Sequence, residues 1–245
     1  MIIAVVIAFL SLFLFSCGGD AENTEMNNDS EMTVEIIDST ENMLEEEIIK
    51  GLYFTIEDYG QITSKEQLIS EFGEENLVDG QSWYAEGTVM FDNTVLTNPE
   101  NGQVIRYLWE EDGNTLSFLE ANYYIFDEVY SIKGTQVISS ECGVSTGMSL
   151  QDFKEWNGAD FDFFGFAWDY AGAIVEGEGT RIAECPIKFN LSLDLEVDVH
   201  EEYGGSVMFS DHLFNTADEI IQGAPILIDE LTYYSVKRIS SYCPH

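Results

Sequence analysis

The sequence predicts an α+β fold that is rich in antiparallel strands and built from two tandem units. Three observations lead to this prediction. Two short segments carry helix-capping residues and an apolar face, several runs alternate apolar and polar residues, and one 24-residue segment matches another further along the chain. Such a mixture favours short helices packed on one face of an antiparallel meander.

The internal match aligns residues 64–87 with residues 149–172 without a gap. The two segments read SKEQLISEFGEENLVDGQSWYAEG and SLQDFKEWNGADFDFFGFAWDYAG. Five aligned pairs are identical, namely Ser64/Ser149, Gly73/Gly158, Gly80/Gly165, Trp83/Trp168 and Gly87/Gly172. We therefore expect a repeated unit of strand, short helix and meander over 48–132 and 133–217, followed by a C-terminal extension strand within 218–245.

Each matched segment is expected to begin with a helix of about two turns. Ser64 and Ser149 are the expected N-caps, because a serine hydroxyl accepts hydrogen bonds from the free N–H groups of the first turn. Glycine commonly ends a helix, since it tolerates the left-handed conformation required there. The expected inward anchors and C-cap glycines are Leu68, Phe153, Gly73 and Gly158.

The other apolar runs are expected to be strands. YFTIE and TQVISSE precede the two helices. The expected meander strands are VMF, VIRYLWE and TLSFLEANYYIF in the first unit, AIV, IKFNLSLDLEVDV and SVMF in the second, and LTYYSVKRISSY at the end.

The N-terminal residues 1–16, MIIAVVIAFLSLFLFS, predict a signal peptide. The apolar run is shorter than the roughly 20 residues of a membrane-spanning helix, and it stops at Cys17. The sequence LFSC resembles the lipobox of bacterial lipoproteins, which implies cleavage before Cys17 and attachment of lipid, including palmitate, to that residue. An uncleaved anchor and an ordinary secreted form are the alternatives.

Residues 17–47 are expected to be a disordered acidic tether. The stretch from Gly18 to Glu47 has eleven acidic residues and no basic or aromatic residue, so it cannot bury enough surface to fold. Asp20 and Glu22 resemble the export signal of surface lipoproteins in Bacteroidota. We therefore expect an outer-membrane lipoprotein of the bacterial cell envelope, exposed to the periplasm or on the cell surface.

The formal charge of −37 excludes nucleic acid as an expected partner. Only nine basic residues accompany 46 acidic ones, so polyanions are repelled. The expected partners are the membrane, through the N-terminal lipid, and an envelope protein or glycan.

The aromatic block WNGADFDFFGFAWDYAG is expected to be scaffold, because its Trp and glycines recur in the first unit. Trp168, Phe161, Phe163 and Phe166 are expected to pack in the core or between the units, and Gly165 and Gly172 to mark bends or close approaches. The alternative is a ligand-facing patch formed by Trp83, Trp168, Asp169 and Tyr170.

The segments GMSLQDFKEWNG and GFAWDYAG resemble a group of uncharacterised Bacteroidota envelope proteins with an NG…F…GFxWDYxG signature. More remotely, the duplicated layout resembles β-lactamase inhibitory protein and the small lipoprotein of the outer-membrane β-barrel assembly machinery. These resemblances imply a non-enzymatic protein that binds other proteins, although fold does not dictate function.

Motifs for catalysis and for metal binding are weak in this sequence. Ser145 in GVSTG matches a nucleophile elbow, but the expected helix cap comes four residues later. In DFDFFG, Phe164 stands where a calcium loop needs a ligand, and the acidic face of LDLEVDVH is expected to be solvated. We expect no metal site, no cofactor and no catalytic residue, with an envelope hydrolase that uses carboxylates or Ser145 as the alternative function.

Three cysteines remain besides Cys17, and an oxidising compartment favours one disulfide. Cys142 with Cys185 is the favoured pair, and Cys243 is the rival partner. Taken together, the sequence predicts a non-catalytic cell-envelope lipoprotein whose β-rich surface binds a protein or a glycan.

Overall fold

The computed structural model describes residues 55–127, 129–167, 170–175, 177–197, 208 and 210–235. The helices are α1 (Ile56–Gly60), α2 (Lys65–Phe72), α3 (Leu150–Asn157) and α4 (Arg181–Glu184), and a 3₁₀ turn covers Glu74–Asn76. The strands are β1 (Leu77–Tyr84), β2 (Val89–Thr97), β3 (Val104–Trp109), β4 (Leu116–Asn122), β5 (Tyr124–Phe126), β6 (Ile132–Thr135), β7 (Asp162–Phe164), β8 (Ile174–Val175), β9 (Ile187–Leu193), β10 (Leu213–Asn215) and β11 (Ile226–Tyr234).

An antiparallel sheet of six strands in the order β1-β2-β3-β4-β11-β9 dominates the fold. A three-stranded sheet, β10-β7-β8, and the hairpin β5-β6 are smaller. Helices α1 and α3 contact β11. The α+β class with mainly antiparallel strands is therefore confirmed.

Both predicted helices begin and end where their caps were expected. The Ser64 hydroxyl accepts the Gln67 N–H at 3.3 Å, and the Ser149 hydroxyl accepts the Asp152 N–H at 3.1 Å. The anchors Leu68 and Phe153 are fully buried. Helix α2 ends at Gly73 and α3 at Gly158, both with positive φ.

The tandem repeat, in contrast, is not confirmed. The four strands after α2 form a meander, but β7 and β8 after α3 join a separate three-stranded sheet. Strand β9 pairs with β11, which in turn pairs with β4. The large sheet thus combines strands from 48–132, 133–217 and 218–245, so these ranges share one sheet.

Several predicted strands have different limits in the structure. YFTIE is interrupted by α1, because Thr55 and Asp58 form a capping box there. TLSFLEANYYIF is divided at Tyr123, whose N–H bonds to the Asp229 carbonyl beside a bulge in β11. β9 ends at Leu193, and the final strand begins earlier than expected, at Ile226.

Phe161, Phe163 and Phe166 of the aromatic block pack in the core as expected, whereas Tyr170 is exposed. Phe161 and Phe163 are buried, and Phe163 contacts the rings of Phe161, Phe166 and Phe214. The two glycines mark close approaches as expected, because a Cβ at Gly165 would collide with the Ser210 carbonyl, and one at Gly172 with the Leu191 carbonyl.

A disulfide joins Cys142 to Cys185, as the sequence favoured, and their Cα atoms are 6.0 Å apart. It links the segment before α3 to the end of α4. The Trp156 indole N–H donates to the Cys142 carbonyl at 2.8 Å, and the Arg181 guanidinium lies over the Trp156 ring. The bridge is therefore packed into the α3–α4 region.

Candidate functional site

The six-stranded sheet is curved so strongly that its first strand reaches its fourth. The Tyr84 hydroxyl on β1 donates to Glu120 Oε1 on β4 at 2.8 Å, although β2 and β3 lie between these strands. Neighbouring strands are about 4.8 Å apart, so three steps across a flat sheet would separate the backbones by about 14 Å. The face that carries Tyr84 and Glu120 is therefore concave.

Aromatic rings fill one end of this concave face. Phe91 on β2 and Phe118 on β4 meet edge to face with centroids 5.2 Å apart, and the Tyr84 ring contacts both at 5.6 Å. The Tyr234 ring on β11 lies 5.5 Å from Phe118. Edge-to-face contacts of this kind hold the curvature in place.

Glu120 is buried beneath the aromatic end, with only 5% of its surface exposed. Its carboxyl group accepts the Tyr84 hydroxyl and, at 3.3 Å, Nη1 of Arg106, which stands opposite on β3. Burial raises the pKa of Glu120, and the charge of Arg106 opposes that rise. The group is held in one position by two donors.

Glu230 is a second carboxyl group on the same face. Its oxygens accept the Asn122 side-chain amide and the Thr232 hydroxyl, both at 3.0 Å. Burial, followed by the neighbouring Glu120, raises the pKa of Glu230 to about 8. The two carboxyl groups therefore influence one another within a partly desolvated site.

A cavity of about 360 Å³ opens over these side chains. This volume lies within the range of small-molecule sites. The lining mixes charged, amide and aromatic side chains, among them Glu120, Glu230, Lys188, Asn190, Phe118 and Tyr234. We call this cavity the sheet cleft.

Register places the polar lining in two rows across the sheet. One row runs Arg106, Glu120, Thr232, Lys188 over β3, β4, β11 and β9. The next row runs Asn122, Glu230, Asn190. Side chains that stand opposite one another on paired strands are about 5 Å apart, so a single small ligand can contact both rows.

A second cavity of about 230 Å³ lies between the start of α3 and residues 221–227, which lead into β11. Asp194 lines it, but its carboxylate accepts the Tyr124 hydroxyl at 2.8 Å and the Glu196 N–H at 3.0 Å. Since β9 has already ended, Asp194 and Glu196 do not belong to the acidic strand face that the sequence predicted; Asp198 and His200 lie outside the described residues.

The serine of GVSTG is not arranged as a nucleophile. Ser145 forms an isolated bridge with Ser139, and α3 begins only after Ser149. Within the described residues no hydrogen bond links the Ser145 hydroxyl to an acid or a base. The strand–turn–helix geometry of a nucleophile elbow is missing at this position.

Of the predicted binding patch, Trp83 and Tyr170 lie within the described residues, and neither of them lines the sheet cleft. Trp83 is 62% exposed on β1 and faces away from Tyr84, opposite Met90. Tyr170 is exposed in the turn before β8, where its ring contacts Phe164. Trp168 and Asp169 lie outside the described residues, as does Cys17.

Sequence reasoning missed the residues that line the sheet cleft. The available signal was a single acid within an apolar run, Glu120 in LSFLEAN and Glu230 in ILIDELTYY. Such an acid is buried only when it is paired or hydrogen-bonded, so it indicates a polar site within the sheet.

In the described part of the chain, no three His, Cys, Asp or Glu residues are grouped so that they could hold a metal ion. No helix in this part is long and apolar enough to cross a membrane. No protein-family model, curated protein or solved structure matches the chain.

Proposed function

We propose that this protein is a non-catalytic binding lipoprotein of the bacterial cell envelope and that its ligand binds in the sheet cleft. The observation that carries the proposal is the concave face itself, where the Tyr84–Glu120 hydrogen bond closes β1 over β4 above a cavity. A cavity with aromatic walls and a few oriented polar groups is the usual form of a ligand site.

Support for a non-catalytic role comes from how the two carboxyl groups are held. Glu120 accepts two protein donors, and so does Glu230. A general base or nucleophile needs an oxygen directed at the substrate, whereas these hydrogen bonds fix both groups within the protein.

The envelope part of the proposal rests on the N-terminal sequence. The apolar run that ends in LFSC supports lipid attachment at Cys17, and the acidic stretch that follows supports a flexible tether. A tether of about 30 residues has a root-mean-square reach of about 30 Å, so the folded part can bind ligands at some distance from the membrane. The resemblance to Bacteroidota envelope proteins is in keeping with this placement.

The rival function is an envelope hydrolase, and one observation favours it. Two carboxyl groups share the sheet cleft, and the pKa of Glu230 is raised to about 8, as in acids that protonate a leaving group. Cleavage breaks the ligand into fragments, whereas binding alone leaves the ligand intact. The two functions can therefore be distinguished by recovering the ligand after incubation.

The test uses the soluble Cys17→Ala chain from residue 17 onward, labelled with ¹⁵N. Two probes are added separately: the polysaccharide and the protein fractions of a bacterial envelope extract. The proposal predicts that one fraction shifts amide signals of β4, β9 and β11 and is recovered intact after prolonged incubation. Cleavage products that vanish in a Glu120→Gln/Glu230→Gln variant would establish the hydrolase, and shifts confined to other surfaces would remove the sheet cleft as the site.

A further inference from the structure

The sheet cleft combines acidic and basic side chains. Glu120 and Glu230 are accompanied by Lys188 in the lining and by Arg106, which donates to Glu120. The whole chain, in contrast, carries a formal charge of −37. Two of only nine basic residues have thus been placed on this one face, so the cleft is selective for neither a strong cation nor an anion.

The polar lining offers donors and acceptors side by side. Lys188 stands opposite Thr232, and Asn190 stands opposite Glu230. The Lys188 ammonium group can donate, and the side-chain oxygens of Thr232 and Asn190 can accept. Hydroxyl groups match such a lining, because each one also donates and accepts.

Apolar walls accompany the polar rows. The half-buried Tyr234 ring lines the sheet cleft and packs on the buried Phe118, and Ile174 and Ile182 also line it. The faces of aromatic rings carry partial negative charge and attract the slightly positive C–H groups of a ligand. Saccharide rings present both features, hydroxyl groups around the edge and C–H groups on the faces.

We propose that the sheet cleft binds an uncharged saccharide unit of a glycan. The proposal rests on the binding function given above and names the ligand class of that same site. A volume of about 360 Å³ accommodates one or two sugar rings, and the open mouth allows a longer chain to continue outside.

The experiment compares ligands that differ in charge. The neutral probes are cellotetraose, maltotetraose, mannotetraose and xylotetraose; tetragalacturonate is the anionic probe and triarginine the cationic one. Each is titrated to about 10 mM into ¹⁵N-labelled Cys17→Ala chain, which detects dissociation constants near 1 mM. We expect at least one neutral probe to shift the amides of Lys188, Asn190 and Thr232, and the two charged probes to leave them unchanged.

Two variants of the sheet cleft and one matched control test the assignment. Tyr234→Ala removes an aromatic wall and is expected to weaken binding at least tenfold, whereas Tyr170→Ala removes an exposed tyrosine outside the cleft and should leave affinity within twofold. Because Tyr234 also packs on Phe118, the exposed Lys188→Ala serves as a second variant that does not disturb this packing. It should weaken binding several-fold, with a melting temperature within a few degrees of the wild type, because substitutions of exposed residues usually change stability little.

Two outcomes overturn the proposal. Triarginine binding in the sheet cleft without any neutral probe would identify a cationic protein segment as the ligand, and the binding function would stand. Absence of binding by all four neutral probes rejects the saccharide assignment. If the envelope fractions also leave the amide signals of β4, β9 and β11 unchanged, the proposed binding function is rejected as well.

Discussion

Glu120 on β4 and Glu230 on β11 lie diagonally across one strand pair, since Thr232 stands opposite Glu120 and Asn122 stands opposite Glu230. Burial raises the pKa of both carboxyl groups, and the charge of Glu120 raises that of Glu230 further. This arrangement ties the stability of the fold to pH.

Glu230→Gln is expected to stabilise the protein at alkaline pH. The pKa of Glu230 is raised from 4.5 to about 8, so the folded state favours the protonated form, and stability falls as pH rises from about 4.5 to about 8. The glutamine variant removes this loss. Its melting temperature should exceed that of the wild type by a few degrees at pH 9 and match it at pH 5. The exposed Glu66→Gln is the control, and equal curves for all three proteins would contradict the prediction.

Tyr84→Phe is expected to destabilise the curved sheet. The variant deletes the hydrogen bond to the buried Glu120, and hydrogen bonds to charged groups contribute about 1.5–3 kcal/mol to the free energy of unfolding. Urea unfolding measures the change. Tyr170→Phe alters an exposed hydroxyl and should stay within about 0.5 kcal/mol of the wild type. Equal losses in both variants would show that the Tyr84 hydroxyl has no special role.

Gly172→Ala should cost more stability than Gly179→Ala. Both glycines have a φ of +72°, and the left-handed conformation is unfavourable for alanine. Each alanine variant should therefore lose about 1–2 kcal/mol of unfolding free energy. Only at Gly172 would the new Cβ meet the Leu191 carbonyl, and such overpacking adds about 1–3 kcal/mol. Thermal or urea unfolding of the pair isolates this second contribution. Similar losses in the two variants would mean that the backbone around Gly172 moves away from the Leu191 carbonyl without destabilising the fold.

The double variant Cys142→Ser/Cys185→Ser is expected to lose about 4 kcal/mol. The bridge spans 43 residues, and closing a loop of this length restricts the unfolded chain by that amount. Reduction of the wild type with dithiothreitol should lower its melting temperature to that of the variant. A wild type that is insensitive to dithiothreitol while the variant is destabilised would indicate damage to packing instead.

Cys17→Ala is expected to abolish lipid attachment. In a bacterium with a lipoprotein pathway, the wild type should fractionate with membranes and carry the mass of a diacylated chain from residue 17. The variant should be soluble or unprocessed. A variant that remains on membranes with the acylated mass would place the lipid elsewhere.

Local signals were sufficient to predict α2, α3 and the close-approach glycines, but not α1 and α4. Ser64 and Ser149 bond to N–H groups three residues away, so the whole cap is contained within a short sequence. Gly172 was recognised as a close approach, although its neighbour Leu191 could not be named. The cysteine count led us to favour Cys142 with Cys185 but left Cys243 open as the rival partner.

The sheet cleft could not be predicted because it is made by distant strands. Tyr84 and Glu120 are 36 residues apart, and Asn122 and Glu230 are 108 apart. The match between 64–87 and 149–172 reflects similar caps and glycines, but the strands that follow pair differently. Strand partners depend on side-chain packing across the sheet, which no single segment encodes.

The position of β11 also sets the order of events during folding. It separates β4 from β9, so both of these strands keep an unpaired edge until residues 226–234 have been delivered. Pairing over such long sequence separations is slow, and open strand edges favour aggregation. The sheet can therefore be completed only after residues 226–234 have been made, and a chaperone that covers the open edges of β4 and β9 until then would prevent misassembly.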